Sequence, residues 1–193
     1  MRPTYYLDKT KIVAWARENF NKYQPQSGNP AWVPEYLNFS FIGADSYDCT
    51  NFVSHAILAG GTPTFDTGGR GVSPTGWYFR DVVNRSSSWS GVAPLFDFLT
   101  QNRARGPFGE LRRYEDIYSG VFDFEEGDII QFSNGDFWRH TGVITGFAYS
   151  PEGRLEALVT GRTDTGNYND NTLASDIYPG KPRRVIKLLG YYK

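Results

Sequence analysis

The chain has 193 residues, a formal net charge of −1, and a composition that is 39% hydrophobic and 17% aromatic, with one cysteine and two histidines. That length suits one domain, residues 1–193, and suffices to bury a core unaided, while one cysteine excludes an intramolecular disulfide and the zinc sites that need two or more thiolates. Near-neutral charge argues against nucleic acid as a partner. No apolar run approaches the roughly 18 residues of a membrane span, and residues 1–6 carry no apolar signal region, so membrane insertion is not expected and any export signal lies outside this chain.

Residues 8–20 read as a helix, with Asp8 as its N-cap and Ile12, Val13, Ala16 and Phe20 recurring on one face. A turn-rich stretch and an aromatic segment through Trp32, Tyr36, Phe39 and Phe41 follow. The next helix is bounded on both sides: Asp48 caps it, residues 49–59 form its body, and Gly60-Gly61 supply a left-handed stop. Residues 62–76, rich in Thr, Pro and Gly, read as a long loop placed to wall a cleft, and 92–100 as a short helix capped by Ser90. From Gly127 onward the pattern turns to strands at 128–132, 141–148, 155–160 and 184–192. Helices first and strands afterward, without βαβ alternation, predict an α+β domain in which N-terminal helices pack on a C-terminal antiparallel sheet.

Phosphate-loop, dinucleotide, nucleophile-elbow and His-Glu-x-x-His patterns are absent. Chemistry therefore narrows to Cys49 and the histidines. A lone cysteine reads either as a small buried hydrophobe or as a nucleophile. Its place in the first turn of a helix favours the second, because unsatisfied N–H groups there stabilise a thiolate, lower its pKa and offer donors to an oxyanion. His55 lies about 120° around the helix from Cys49 and reads as a surface or supporting residue. His140 opens a strand after a polar turn, where it can reach a helix N-terminus packed against the sheet edge. Neither Asp123, Glu125, Glu126 and Asp128 nor Asp164, Asn167, Asn169 and Asp170 have EF-hand spacing, so no metal or cofactor is expected.

The run Asp48-Cys49-Thr50-Asn51-Phe52-Val53-Ser54, followed by Ala59-Gly60-Gly61, resembles the signature of the bacterial putative amidase domain family, a branch of the papain-like cysteine hydrolases. Its Asp-Cys-Ser/Thr core is similar to that of peptidases that cut peptidoglycan stems. Asn29-Pro30-Ala31-Trp32, Ser88-Trp89, Gly127-Asp128 and Trp138-Arg139-His140-Thr141 stand in the family's order, and the resemblance covers nearly the whole chain. It implies a papain-like core in which Cys49 attacks an amide carbonyl and His140 moves the proton. It further implies a substrate site drawing on Asp48, Thr50, Trp89 and Trp138, with Asp48 either an N-cap or an anchor for a substrate amine. Two departures stand out. His55 replaces a usual Gln, and Arg162 occupies the position of the histidine expected to steady His140. A guanidinium has no acceptor, so Thr160 or Asp164 is the expected third catalytic residue, or the site is a dyad.

These residues lead to an amide hydrolase acting on peptidoglycan or another peptide substrate, in a secreted or cell-wall-associated protein. Two alternatives stay open: an acyltransferase or transpeptidase using the same pair, and a non-catalytic aromatic-lined module in which Cys49 is inert. Arg103, Arg105, Arg112 and Arg113 read as a solvated basic stretch or as a surface for an acidic substrate.

Overall fold

The computed structural model describes residues 4–22, 39, 48–164 and 167–193, the side chains of Asp164 and Asn167 excepted. Trp32, Tyr36 and Phe41 lie outside the described residues. Strand β1 (Thr4–Tyr5) is followed by α1 (Lys9–Asn19), α2 (Cys49–Ala59), β2 (Val72–Ser73), β3 (Arg85–Ser86), α3 (Ser87–Ser90) and α4 (Val92–Gln101). Then come β4 (Gly106–Arg113), a 3-10 helix (Tyr114–Ser119), β5 (Ile129–Ser133), β6 (Trp138–Tyr149), β7 (Leu155–Asp164), β8 (Asn167–Leu173), α5 (Ala174–Ile177) and β9 (Arg183–Tyr192). The architecture is α+β. A seven-stranded sheet, in the order β1-β9-β5-β6-β7-β8 with β4 also on β9, is antiparallel throughout.

Strand alternation divides the interior in two. Ile129, Val143, Ile186 and Leu188 face α1, α2 and α4, where Ile12, Phe52, Val53, Ile57, Leu95 and Leu99 meet them. Their sequence neighbours Ile130, Ile144 and Val185 point the other way, into a second cluster with Tyr114, Phe124, Phe132 and Val159. A sheet covered on both faces needs unbroken apolar runs, and this is why Ile129-Ile130, Val143-Ile144 and Val185-Ile186 occur as pairs.

Asp8 caps α1, accepting a hydrogen bond from the Lys11 N–H at 3.1 Å, as its position predicts. Gly61, at φ +92°, supplies the left-handed stop after α2. Ser90 does not cap α4. It closes α3, Gly91 takes the cap position, and the Ser90 hydroxyl accepts from Arg85 Nε at 2.8 Å. The expected loop 62–76 contains β2, paired parallel with β3. Strands β4 and β8 were not expected, since their polar and glycine-containing sequences lack the alternation that marks a strand; they pair at the sheet margins, where one flank suffices. Arg112, in β4, ion-pairs with Glu110 and Asp123 at 2.8 and 2.7 Å, so it is committed within the chain.

The Gly127-Asp128 landmark has a packing explanation. Gly127 sits at φ +88°, and a Cβ there would stand 2.6 Å from the Lys9 Cβ, so only glycine lets β5 start this close to α1. Asp128 then accepts from the N–H groups of Glu125 and Leu188 at 2.9 and 2.8 Å and ion-pairs with Lys9 at 2.6 Å. One buried carboxylate thus ties α1, the β5 turn and β9 together. Among the described residues, no group of three His, Cys, Asp or Glu is placed to hold a metal ion, and no helix is long and apolar enough to cross a membrane.

Candidate active site

The β6–β7 ladder runs from Tyr149↔Leu155 to Val143↔Thr160 and its described pairs end there. Beyond that point the N-terminus of α2 takes the place of a strand partner. The Asp48 N–H donates to the Thr163 carbonyl of β7 at 2.9 Å, and the Cys49 thiol faces the Arg139 carbonyl of β6 at 3.9 Å. The Thr141 N–H also faces the sulfur and favours its charged form, so Cys49 lies against the backbone immediately either side of His140. A helix start has spare donors and a split ladder has spare acceptors, and each satisfies the other.

The His140 ring lies on the sheet face opposite the body of α2, whose N-terminus reaches the same strand gap, with Phe132 and Tyr178 at ring-centroid distances of 5.7 and 6.1 Å. Its Nδ1 lies 3.3 Å from the Thr163 hydroxyl, and its Nε2 has no hydrogen-bond partner. Gly142 is required by the neighbouring strand, since a Cβ there would meet Val159 at 2.4 Å, while a Cβ on Gly161 would stand in ordinary contact, 3.8 Å from the His140 Nε2. Cys49 and His140 are each 1% exposed, and they do not share a hydrogen bond in this state.

Burial pushes the Cys49 thiol up, the Asp48 charge adds to this, and the Thr50 hydroxyl and the Thr141 N–H only partly oppose it. The expectation of a thiolate stabilised by the helix start is therefore corrected: the side chain is too deeply desolvated. Burial also takes His140 down to about 4. The pair at neutral pH is a thiol and a neutral imidazole.

Asp48 occupies the first position before α2 but its side chain makes no capping bond. Its carboxylate, wholly buried, forms an ion pair with Arg162 and accepts from the Phe39 N–H at 2.9 Å and from Asn51 Nδ2 at 3.0 Å. Asp48 is thus the N-cap by position, its carbonyl accepting from the Phe52 N–H at 2.9 Å, but the expected side-chain cap is corrected, because the carboxylate is turned to these partners instead. Arg162, fully buried and stacked over Phe52 at 5.3 Å, is its counter-ion. Desolvation raises the Asp48 pKa first and foremost, with Arg162 opposing.

The remaining motif residues are structural in the same way. Asn51 Oδ1 accepts from Trp89 Nε1 at 2.8 Å, and the Ser54 hydroxyl accepts from Trp77 Nε1 at 3.1 Å while donating to the Trp89 carbonyl at 2.9 Å. Trp89 is 1% exposed and packs against Trp77 with the ring centroids 4.7 Å apart, so in this state it belongs to the core and not to a substrate surface. Thr50 is likewise buried, 3.4 Å from the Thr141 hydroxyl and 3.7 Å from the Cys49 sulfur. Trp138 is half-buried with the Arg184 guanidinium 4.0 Å above its ring. His55 is not at the surface; Trp15, Phe79 and Trp89 enclose it, neither ring nitrogen has a partner, and burial with the Arg162 charge takes it down to about 3.

The third residue beside His140 is Thr163. Thr160 faces the helix side with Val143, where its hydroxyl meets Thr145 at 2.9 Å and Asp170 at 3.2 Å, out of reach of the ring. The side chain of Asp164 lies outside the described residues. Pairing Val143 with Thr160 and Ile144 with Val159 puts odd-numbered residues of lower β7 on His140's face, and that parity was the signal able to single out Thr163.

The putative amidase domain model matches residues 6–188. The chain belongs to the putative amidase domain family. No curated protein and no solved structure matches it. For a member of the amidase family, the coarse reading is a hydrolase acting on amide bonds. The matched span includes α2, the β6–β7 split and every residue of the candidate site described above.

Proposed function

We propose that the protein is a cysteine-dependent amide hydrolase with a papain-like arrangement, in which Cys49 is the nucleophile and His140 the base. The observation that carries this reading is the seating of the Cys49 sulfur on the backbone of Arg139 and Thr141, with the unpartnered Nε2 of His140 between them in sequence. A neutral imidazole with Nδ1 as donor to the Thr163 hydroxyl leaves Nε2 as a base. As the sulfur attacks the carbonyl carbon, Nε2 takes the thiol proton; the imidazolium then protonates the departing amine, leaving a thioester. Water attacks the thioester with Nε2 accepting its proton, the acid departs, and the proton returns to sulfur. Thr163 is a positioning residue that holds the tautomer.

Peptidoglycan stem peptides are the proposed substrate class and the cell wall the proposed location, supported by the Asp48-Cys49-Thr50 resemblance to cell-wall peptidases. Because both side chains are buried, substrate reaches them only when covering chain moves aside. That burial also favours a second reading, an inert thiol in a binding module. Amine release from purified peptidoglycan separates them: unsubstituted protein is active, and Cys49→Ala and His140→Ala, folded by circular dichroism, are not. Full activity in either variant overturns the proposal.

A further inference from the structure

On the helix-facing side of the sheet, one row of side chains crosses three strands. Gln131 of β5 is in register with Thr141 of β6 on one flank and with Arg184 of β9 on the other. Arg184 Nε donates to Gln131 Oε1 at 2.9 Å, while Gln131 Nε2 donates to the Val92 carbonyl at 2.8 Å. The guanidinium carbon lies 3.5 Å from the ring centre of Phe96 and 4.0 Å from that of Trp138. Two aromatic faces and one hydrogen bond therefore fix both the position and the plane of this cation.

Its two Nη groups are nonetheless without a hydrogen-bond or ion-pair partner among the described residues. Arg80, Arg112 and Arg162 differ in this respect, since each has a carboxylate within ion-pair distance. Asp97 is the one acid whose charge registers on Arg184, and it makes no ion pair with it. Burial takes Arg184 down to about 10, which is what a half-covered cation lacking an anion does. A planar fork that is held flat, desolvated on both faces and open at its tip suits the two oxygens of a carboxylate.

We propose that Arg184, clamped by Phe96 and Trp138, is a recognition site for a free carboxylate on the substrate. The word substrate rests on the hydrolase reading; the anion site does not. Arg184 is two strand spacings, about 10 Å, from Thr141, a distance spanned by about three extended residues. The chemical class is thus a short peptide bearing a free carboxylate about three residues from the amide to be cleaved.

Binding is measured on the full chain carrying Cys49→Ala, which removes turnover, with N-acetyl-Ala-Ala-Ala as free acid and as C-terminal amide, by titration calorimetry. The acid is expected to bind at least tenfold more tightly than the amide. Adding Arg184→Gln brings that ratio to about one, and Arg184→Lys, which keeps the charge without the fork, to about threefold. Equal or undetectable binding of both probes, or a ratio that survives Arg184→Gln, overturns the proposal. Should Arg184→Gln not fold, the arginine side-chain N–H resonances decide: Arg184 shifts with the acid and not with the amide, and unshifted resonances are fatal. An acid preference in a protein that never hydrolyses peptidoglycan sinks the hydrolase and leaves this site standing.

Discussion

His55 and His140 are both buried and both taken down by that burial, to about 3 and about 4, yet their surroundings differ. Around His55 are the rings of Trp15, Phe79 and Trp89, the last two edge-on at 5.9 and 5.0 Å, and neither nitrogen has a hydrogen-bond partner. His140 has the Thr163 hydroxyl on one nitrogen, no hydrogen-bond partner on the other, and the Cys49 sulfur against the backbone of the residues before and after it. A depressed pKa therefore reports burial in both places. What separates them is a hydroxyl on one ring nitrogen and the neighbouring Cys49 sulfur, the two features on which the proposed base role of His140 rests.

The largest effect expected from this contrast is catalytic. Replacing His140 by Ala removes the base and is expected to lower amine release by about 10³-fold, within the span ascribed to general base catalysis, while His55→Phe stays within a few-fold of the parent. If the two variants lose activity equally, the distinction between the histidines collapses. The acid limb of kcat/KM is expected near pH 4, because His140 serves only while neutral and burial holds its folded value at about 4. A limb near 6.5 would show that the ring is solvated in the reacting enzyme.

Arg162 touches the comparison from the other side. Its charge is the second cause of the low His55 value and is not among the causes for His140. Arg162→Met leaves the Asp48 carboxylate buried without its cation, at a cost of about 3–5 kcal/mol in urea unfolding. In the surviving folded protein the His55 titration moves upward and that of His140 does not. Adding Asp48→Asn recovers part of the loss, and no recovery would mean that the ion pair is not the source. Thr163→Val comes next, with a fall of about tenfold in kcat, on the order of 1.4 kcal/mol, and a shift of His140 away from the Nδ1–H tautomer by ¹⁵N spectroscopy. Thr163→Ser keeps the hydroxyl and should restore both, which a merely structural threonine would not require.

Much of this was legible in the chain. The α2 boundaries followed from Asp48 and Gly60-Gly61, and the paired apolar residues at 129–130, 143–144 and 185–186 marked buried strands. The roles of Asp48 and Arg162 were not, because an ion pair between residues so far apart in sequence leaves no local pattern. Arg162 read as a misfit where an imidazole was expected, and only its position on the helix side of β7 explains it. Thr163 escaped for a related reason: the choice among Thr160, Thr163 and Asp164 depends on which face His140 takes, a fact set by pairing with β5 and β7. Among the described residues the aromatic surplus is divided, with Trp77, Trp89, Tyr114 and Phe132 in the core and Tyr6, Phe137 and Tyr149 exposed.

The smallest effect tests the enclosure of His55 directly. Unfolded, this ring titrates near 6.5, and folded at about 3, so the unfolded chain binds more protons throughout that interval. Its contribution to stability is complete above pH 6.5 and declines as pH falls toward 3, by about 1.4 kcal/mol per pH unit. His55→Leu removes the titration together with two buried nitrogens that have no hydrogen-bond partner, and is expected to add about 1 kcal/mol at pH 7. Urea midpoints of variant and parent between pH 7.5 and 4.5 isolate this group, since every other titration is common to both. The expected result is a variant whose advantage widens as pH falls. A constant advantage would mean that His55 ionises in the folded state, which requires water or an anion at the ring and would make the two histidines alike after all.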